Sequence, residues 1–298
     1  MTNKEHVLEI TVNNPPHVSE GRRILKVMFS RWIVIVGAVI IFLLIVMALA
    51  APLIAPYNPN ETNLSHKLAP PSAVYKLGTD ELGRDIFSRL LYGSRISMLV
   101  GIVAVSIAGV FGMGFGLLAG YYGKWIQAII MRCVDTLMSI PPLILILAIA
   151  AALGAGLVNV LIALGIGLLP TYARLMNGQI LSLKENDYIL ATRAMGANNV
   201  RVMFRHLLPN SFPPLLVLVT LNMGTAILME ASLSYLGVGI SPPTATWGAM
   251  VSNGQMYMLT NPLLSLIPGL CILLVVLAFN MVGDGLRDAL DPRLRGTL

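Results

Sequence analysis

Six apolar stretches, each about the length of a bilayer-spanning helix, leave this chain few ways to fold. They lie near residues 32–54, 96–121, 129–153, 157–176, 215–235 and 263–282. A hydrocarbon core roughly 30 Å thick is crossed by about 20 apolar residues of helix. Backbone left open in that core has no partner, and the alternation of barrel strands is absent, so the runs read as helices. Composition agrees: 56% of the 298 residues are hydrophobic and 11% are charged, where a soluble domain carries about a quarter charged. The expected fold is all-α, a polytopic membrane protein with six transmembrane helices.

The net charge of +6 does not mark a nucleic-acid binder, because the cations sit in the gaps between apolar runs rather than on one aromatic-laced face. Lys4, Arg22, Arg23, Lys26, Arg31, Lys124, Arg132, Arg174, Lys184, Arg193, Arg201, Arg205, Arg287, Arg293 and Arg295 fall on one side of the expected topology. The other side has only Lys67, Lys76, Arg84, Arg89 and Arg95, all in the first loop, partly offset by Glu61, Asp80, Glu81 and Asp85. This bias predicts both termini in the cytoplasm. Some thirty polar residues precede the first run, which is long enough to span, so Ala48-Leu49-Ala50 is read within a retained signal-anchor helix rather than as a cleavage site. Cys133 and Cys271 have no ligand-spaced neighbours and are expected to be small buried hydrophobes.

Ala104, Ala108, Gly112, Gly116 and Gly120 recur every fourth residue. That spacing makes a smooth helix face which another backbone can approach closely. Gly112, Gly114 and Gly116 are not a dinucleotide fingerprint, since no strand precedes them. Prolines 141, 142, 170 and 268 interrupt the third, fourth and sixth runs and are read as kinks.

Between the fourth and fifth runs lies a long polar segment. Ser182 and Glu185 have capping-box spacing, Asn186 or Asp187 offers an alternative cap, and Gly196 is a natural helix stop. The helix expected over 188–195 gathers Tyr188, Ala191, Thr192 and Met195 on one face, small in the middle and bulky at both ends. A second helical stretch, 199–207, carries Arg201 and Arg205 and is expected to end at Pro209. Geometry alone leaves two readings open: an amphipathic helix on the inner leaflet, or a helix docked in a groove of a cytoplasmic partner.

In the first loop, Thr79 or Asp80 is expected to cap a short interfacial helix. Asp80–Arg84 and Asp85–Arg89 would be i,i+4 pairs, with Leu82, Ile86 and Leu90 facing one way. Arg132–Asp135 and Asp284–Arg287 have i,i+3 spacing for local pairs. Glu230, an acid deep in an apolar run, is a functional candidate by its cost of burial, lining a path or a subunit interface. No catalytic constellation and no phosphate loop is present, so ATP hydrolysis would have to come from another polypeptide.

Several blocks together carry a family resemblance. Gly196, Leu208 and Pro209 fall on the pattern of the EAA loop of ABC importer permeases, although Leu190, Ala191 and Thr192 stand where Glu-Ala-Ala would and His206 stands for Ile. Asp187-Tyr188-Ile189 and the run from Arg205 to Asn210 look like the peptide/nickel branch. So do the run from Gly78 to Arg89, the stretch from Tyr235 to Met250 with Pro242-Pro243 and Trp247-Gly248, and the stretch from Ala278 to Pro292. The chain therefore resembles a C-type permease of the binding-protein-dependent dipeptide, oligopeptide and nickel importers.

The resemblance implies a type I ABC importer permease fold with a segment 1–31 inside, a span 32–54, an external loop 55–95, a permease core 96–284 and a tail 285–298. It implies a coupling segment 182–210, with Tyr188, Ala191, Thr192, Met195, Gly196, Arg205, Leu208 and Pro209 facing the ATPase. Asp80, Arg84, Asp85 and Arg89 are candidate contacts of a binding protein. The implied partners are a second homologous permease, two cytoplasmic ATPase subunits, an external substrate-binding protein and membrane lipid, with no cofactor, metal or nucleic acid. Peptides are the implied substrate, then nickel or metal chelates, then glutathione-like compounds. A stand-alone channel or secondary transporter is disfavoured, because Glu230 stands almost alone and no internal repeat is visible.

Overall fold

The computed structural model describes residues 20–290. Most of the expected segment 1–31, and Asp291, Pro292, Arg293 and Arg295, lie outside the described residues. The helices run α1 Glu20–Met28, α2 Trp32–Ile54, α3 Ile86–Tyr122, α4 Lys124–Met138, α5 Pro142–Leu153, α6 Leu157–Leu183, α7 Asp187–Ala194, α8 Asn199–Arg201, α9 Leu208–Tyr235, α10 Trp247–Gln255 and α11 Leu263–Leu290. Among the described residues the only strand-like feature is one isolated bridge, Thr79 with Asp85.

Five rods are long and apolar enough to cross a membrane: α2, α3, α6, the continuous Asn199–Tyr235 and α11. The pair α4 and α5 makes a sixth crossing if taken together, but it is bent by 92°. That bend corrects the reading of Pro141 and Pro142 as a plain kink. A residue before proline is pushed to extended backbone, and Pro141 itself sits at φ −53°, ψ 132°, so α4 ends there and α5 restarts with Pro142 in its first turn. Pro170 and Pro268, by contrast, stay inside unbroken helices.

The rods also extend beyond the apolar runs. At 37 residues, α3 is about 55 Å long, because it starts at Ile86 rather than near residue 96. Its cap is Asp85, whose carboxylate accepts from the Ser88 amide, and not Thr79 or Asp80. Leu82 consequently lies outside any helix and is exposed, while Ile86 and Leu90 are buried. α6 runs through Ser182, so no capping box forms, and α7 starts after Asn186 without a side-chain cap. Pro209 does not end the second stretch. Proline crowds the carbonyl four residues back, and the π-type turn Val202–Leu207 just before it widens the helix there, so the rod continues into α9.

Neither expected i,i+3 ion pair forms. α4 crosses α6, and Asp135 meets Arg174 at 2.5 Å rather than Arg132. On α11 no Asp284–Arg287 pair forms, and it is Asp288 that pairs with Arg31, ahead of α2. Cys133 is exposed and Cys271 half-buried, so neither is the core residue expected.

The small-residue face of α3 packs on α6. A Cβ on Gly112 would stand 2.6 Å from the Leu169 carbonyl oxygen, and one on Gly120 2.7 Å from Ile180 Cβ. On Gly116 it would strike the Ala173 carbonyl. Gly165 of α6 receives Ile107 in return. Three buried clusters follow, and α3 and α9 contribute to all of them. The first adds α2, α10 and α11; the second adds α6 and α7; the third adds α5 and α6.

Gly116→Val should lower stability by about 1–3 kcal/mol, the usual cost of overpacking. Gly114→Ala, where nothing lies within 4 Å of the added methyl, should be neutral or stabilising by up to about 1 kcal/mol. Thermal aggregation of the two variants in one detergent, followed by size exclusion, checks both.

Candidate functional site

Opposite ends of α3 carry the residues singled out by sequence. At its C-terminal end sits α7. Ile189 is fully buried in the cluster formed with Met176 and Ile180 of α6 and Val202 and Leu207 of the rod that continues into α9, which seats the short helix against those two rods. The other side of α7 is open: Tyr188, Leu190, Ala191 and Met195 are exposed, Met195 by 81%. Thr192 is half-buried and turns its hydroxyl back to the Tyr188 carbonyl at 2.6 Å.

The helix ends as a Schellman turn. The Gly196 amide donates to the Arg193 carbonyl at 2.9 Å and the Ala197 amide to the Thr192 carbonyl at 3.3 Å. Gly196 takes φ +84°, a conformation L residues resist, with open space where a side chain would go. Asn198 then caps the next helix through the Arg201 amide. Beyond the turn, Val200, Phe204, Arg201, Arg205 and Pro209 are exposed and Leu208 is half-buried. The eight expected coupling residues thus lie around one turn, mostly on the surface.

Sequence reasoning missed Tyr121 beside this turn. Its hydroxyl donates to Asn199 Oδ1 at 2.7 Å, and the Arg193 guanidinium stands 4.9 Å above its ring. The only signal was an aromatic pair at the end of a predicted span, which reads equally as an interfacial anchor.

At the other end of α3, Asp80, Arg84, Asp85 and Arg89 are all buried. Asp80 Oδ1 accepts from the Leu82 and Arg84 amides, both at 2.9 Å, while Oδ2 accepts from Arg84 Nε at 2.6 Å and faces Arg89 Nε at 3.5 Å. Arg84 also donates to Glu81, and Arg89 to the Pro59 carbonyl at 2.8 Å. Asn253 of α10 reaches Glu81 at 3.3 Å. The expected Asp80–Arg84 pair forms; Asp85–Arg89 does not, because Asp85 is occupied in capping. Trp247 is fully buried against Gly93, its indole donating to the Leu90 carbonyl at 3.0 Å. These contacts tie the 55–85 loop, α3 and α10 into one knot beneath the surface.

Glu230 lies near this knot, on the last turns of α9. It is wholly enclosed within the subunit and accepts from the Ser234 hydroxyl at 2.7 Å; its Oε2 has no partner among the described residues. In this conformation it presents nothing to a path or to a neighbouring subunit.

Residues 112–296 match the family described as the inner membrane component of binding-protein-dependent transport systems, and residues 19–71 match the N-terminal transmembrane domain of oligopeptide transport permease C. The chain belongs to this permease family. It is 45% identical to the dipeptide transport system permease protein DppC of Alkalihalophilus pseudofirmus, over 95% of each chain. It is 44% identical to the probable D,D-dipeptide transport system permease protein DdpC of Escherichia coli, over 93% of each, and 43% identical to the glutathione transport system permease protein GsiD of Pectobacterium atrosepticum, over 88% of each. The fold matches a permease chain of the solved, inward-facing MetNI methionine ABC transporter with a TM-score of 0.56, at 22% identity, covering 68% of this chain and 97% of that one.

This permease is therefore an all-helical, multi-span membrane protein of an ABC importer. Its buried ionic knot has a measurable cost of disruption: Arg84→Met should destabilise it by about 2–4 kcal/mol by removing the closest cation from Asp80, which keeps two backbone amides and the more distant Arg89, and adding Asp80→Asn should restore part of the loss. Thermal unfolding of the single and double variants in detergent checks the expectation.

Proposed function

We propose that this permease forms one half of the translocation path of an ATP-driven peptide importer, with a homologous permease supplying the other half. Two ATPases would dock at the α7 end and a substrate-binding protein would deliver cargo at the α10 end. The observation that carries the reading is α7 itself. Its exposed apolar residues Tyr188, Leu190 and Met195 surround a turn flanked by Arg193, Arg201 and Arg205, while its buried Ile189 fixes it to the spanning helices. A surface built for a lipid leaflet alone would not need that rigid attachment, nor a glycine-specific turn at its edge.

Orientation follows from charge. Arg84 and Arg89 are neutralised within the ionic knot, which leaves Lys67, Lys76 and Arg95 as the loop's cations outside it. The α7 end holds Lys184, Arg193, Arg201 and Arg205, which supports a cytoplasmic location for that end and, by the charge bias of the sequence, for both termini. ATP would be hydrolysed by the separate ATPases. Closure of their dimer would move α7, and the helices attached to it, between outward- and inward-open arrangements. The substrate class rests on relatives named for dipeptide, D,D-dipeptide and glutathione transport. All are short peptides with free carboxylates, which makes a peptide the favoured cargo over nickel or a metal chelate.

Purification from the native membrane in mild detergent is expected to recover a second permease, Walker-type ATPases and a binding protein. A lone chain moving solute without ATP would overturn the reading. Gly196→Val forces a β-branched residue toward a left-handed conformation at a cost of roughly 1–2 kcal/mol. Uptake in the reconstituted complex should fall about tenfold while ATP hydrolysis continues; unimpaired uptake per ATP would remove α7 from the coupling role.

A further inference from the structure

We propose that Tyr121 is the positioning residue through which the α7 turn drives α3. The inference rests on the reading of α7 as the ATPase-docking element and adds a route by which its motion reaches the spans.

The geometry singles out one side chain. Tyr121 lies in the last turn of α3, and it grips both limbs of the Gly196 turn: Arg193, three residues before the glycine, stacks over its ring at 4.9 Å, and Asn199, three residues after, accepts from its hydroxyl at 2.7 Å. Both contacts are directional. The other attachment of α7, buried Ile189, holds the start of the helix by packing, whereas Tyr121 holds its end and the limb beyond the turn. Asn198 has its own cap to make with the Arg201 amide, so the two asparagines divide the work. One residue before Tyr121, Gly120 leaves no gap to α6: an added Cβ would lie 2.7 Å from Ile180 Cβ, and Lys184 Nζ donates to the Gly120 carbonyl at 3.4 Å. The close packing at Gly120 opposes local slip of α3 against α6 when Tyr121 is pulled. Such a pull moves the two long helices together.

Arg193 thus has a fixed role in the chain. Its guanidinium is held against the subunit's own aromatic ring, and the cation–π contact and the neutral hydrogen bond act on opposite sides of a turn that only glycine makes without strain. Loosening either contact frees one limb; loosening both leaves α7 attached through apolar packing alone.

The test uses the complete transporter, with both permeases, ATPases and binding protein reconstituted in liposomes, and reads uptake per ATP hydrolysed. Tyr121→Leu removes both contacts but keeps apolar bulk. It should lower uptake per ATP about fivefold to tenfold, as expected for losing a hydrogen bond and a cation–π contact, with co-purified ATPase unchanged. Tyr121→Phe keeps the ring and should fall about twofold to fivefold; adding Asn199→Ala to it should cause no further fall, since both remove one bond. If Tyr121→Leu does not accumulate, the Tyr121→Phe and Asn199→Ala pair decides, and additive effects would overturn the proposal. So would an unchanged ratio in Tyr121→Leu, or a loss of bound ATPase in step with uptake, which would make Tyr121 an assembly residue. Gly196→Val separates the two levels. If it uncouples while Tyr121→Leu does not, only the Tyr121 route fails. If neither uncouples, the docking role of α7 fails with it.

Discussion

The close approach of α3 to α6 is the constraint on which the rest of the molecule depends. Lipid offers helices no hydrophobic reward for meeting, so association rests on fit at short range. Gly112, Gly116 and Gly120 supply that fit by bringing carbonyls of α6 to where side chains would otherwise be. Because α3 also enters every buried cluster, its position fixes where α2, α5, α9, α10 and α11 can lie. At about 55 Å it is longer than the hydrocarbon is thick, and so carries one rigid frame from the ionic knot at one end to α7 at the other.

The two ends treat charge oppositely. Around Asp80 the acids and arginines satisfy one another, buried at close range with backbone donors completing the carboxylate's shell. Such a cluster gives little net stability against an apolar alternative, yet is costly to break, and so specifies one arrangement of the loop. Around α7, Arg201 and Arg205 point outward with no acid beside them among the described residues. The first arrangement closes a structure; the second leaves its charges at the surface.

Much of this was legible in the sequence, for reasons that are local. Apolar length located the spans, the four-residue repeat of small side chains announced the α3 face, and Gly196 announced the helix stop. What could not be read depended on contacts between distant segments. Asp135 had Arg132 three residues away, but Arg174 on α6 stands closer. Asp85 had Arg89 four residues away, but it was needed as a cap. Tyr121 was invisible, since its two partners lie 72 and 78 positions further along and meet only because Gly196 reverses the chain. Glu230 reads from hydropathy alone as lining a path or a subunit interface, and its enclosure by α9 and its surroundings is a tertiary fact.

The bend between α4 and α5 makes the molecule mechanically uneven. α3, α6, α7 and α9 share one interlocked core, whereas the outer arm of α4 is joined to α6 through a half-exposed pair, Asp135–Arg174, and a 3.3 Å amide contact from Gln127 to Asn177. A half-exposed ion pair is worth about 0–1 kcal/mol, a tether that thermal agitation can release and remake. The 92° elbow thus sets its two arms against the subunit in different ways: α5 is anchored through the fully buried Ile146 and Ala150, while α4 adds side chains half open at the surface to its single buried residue, Val134.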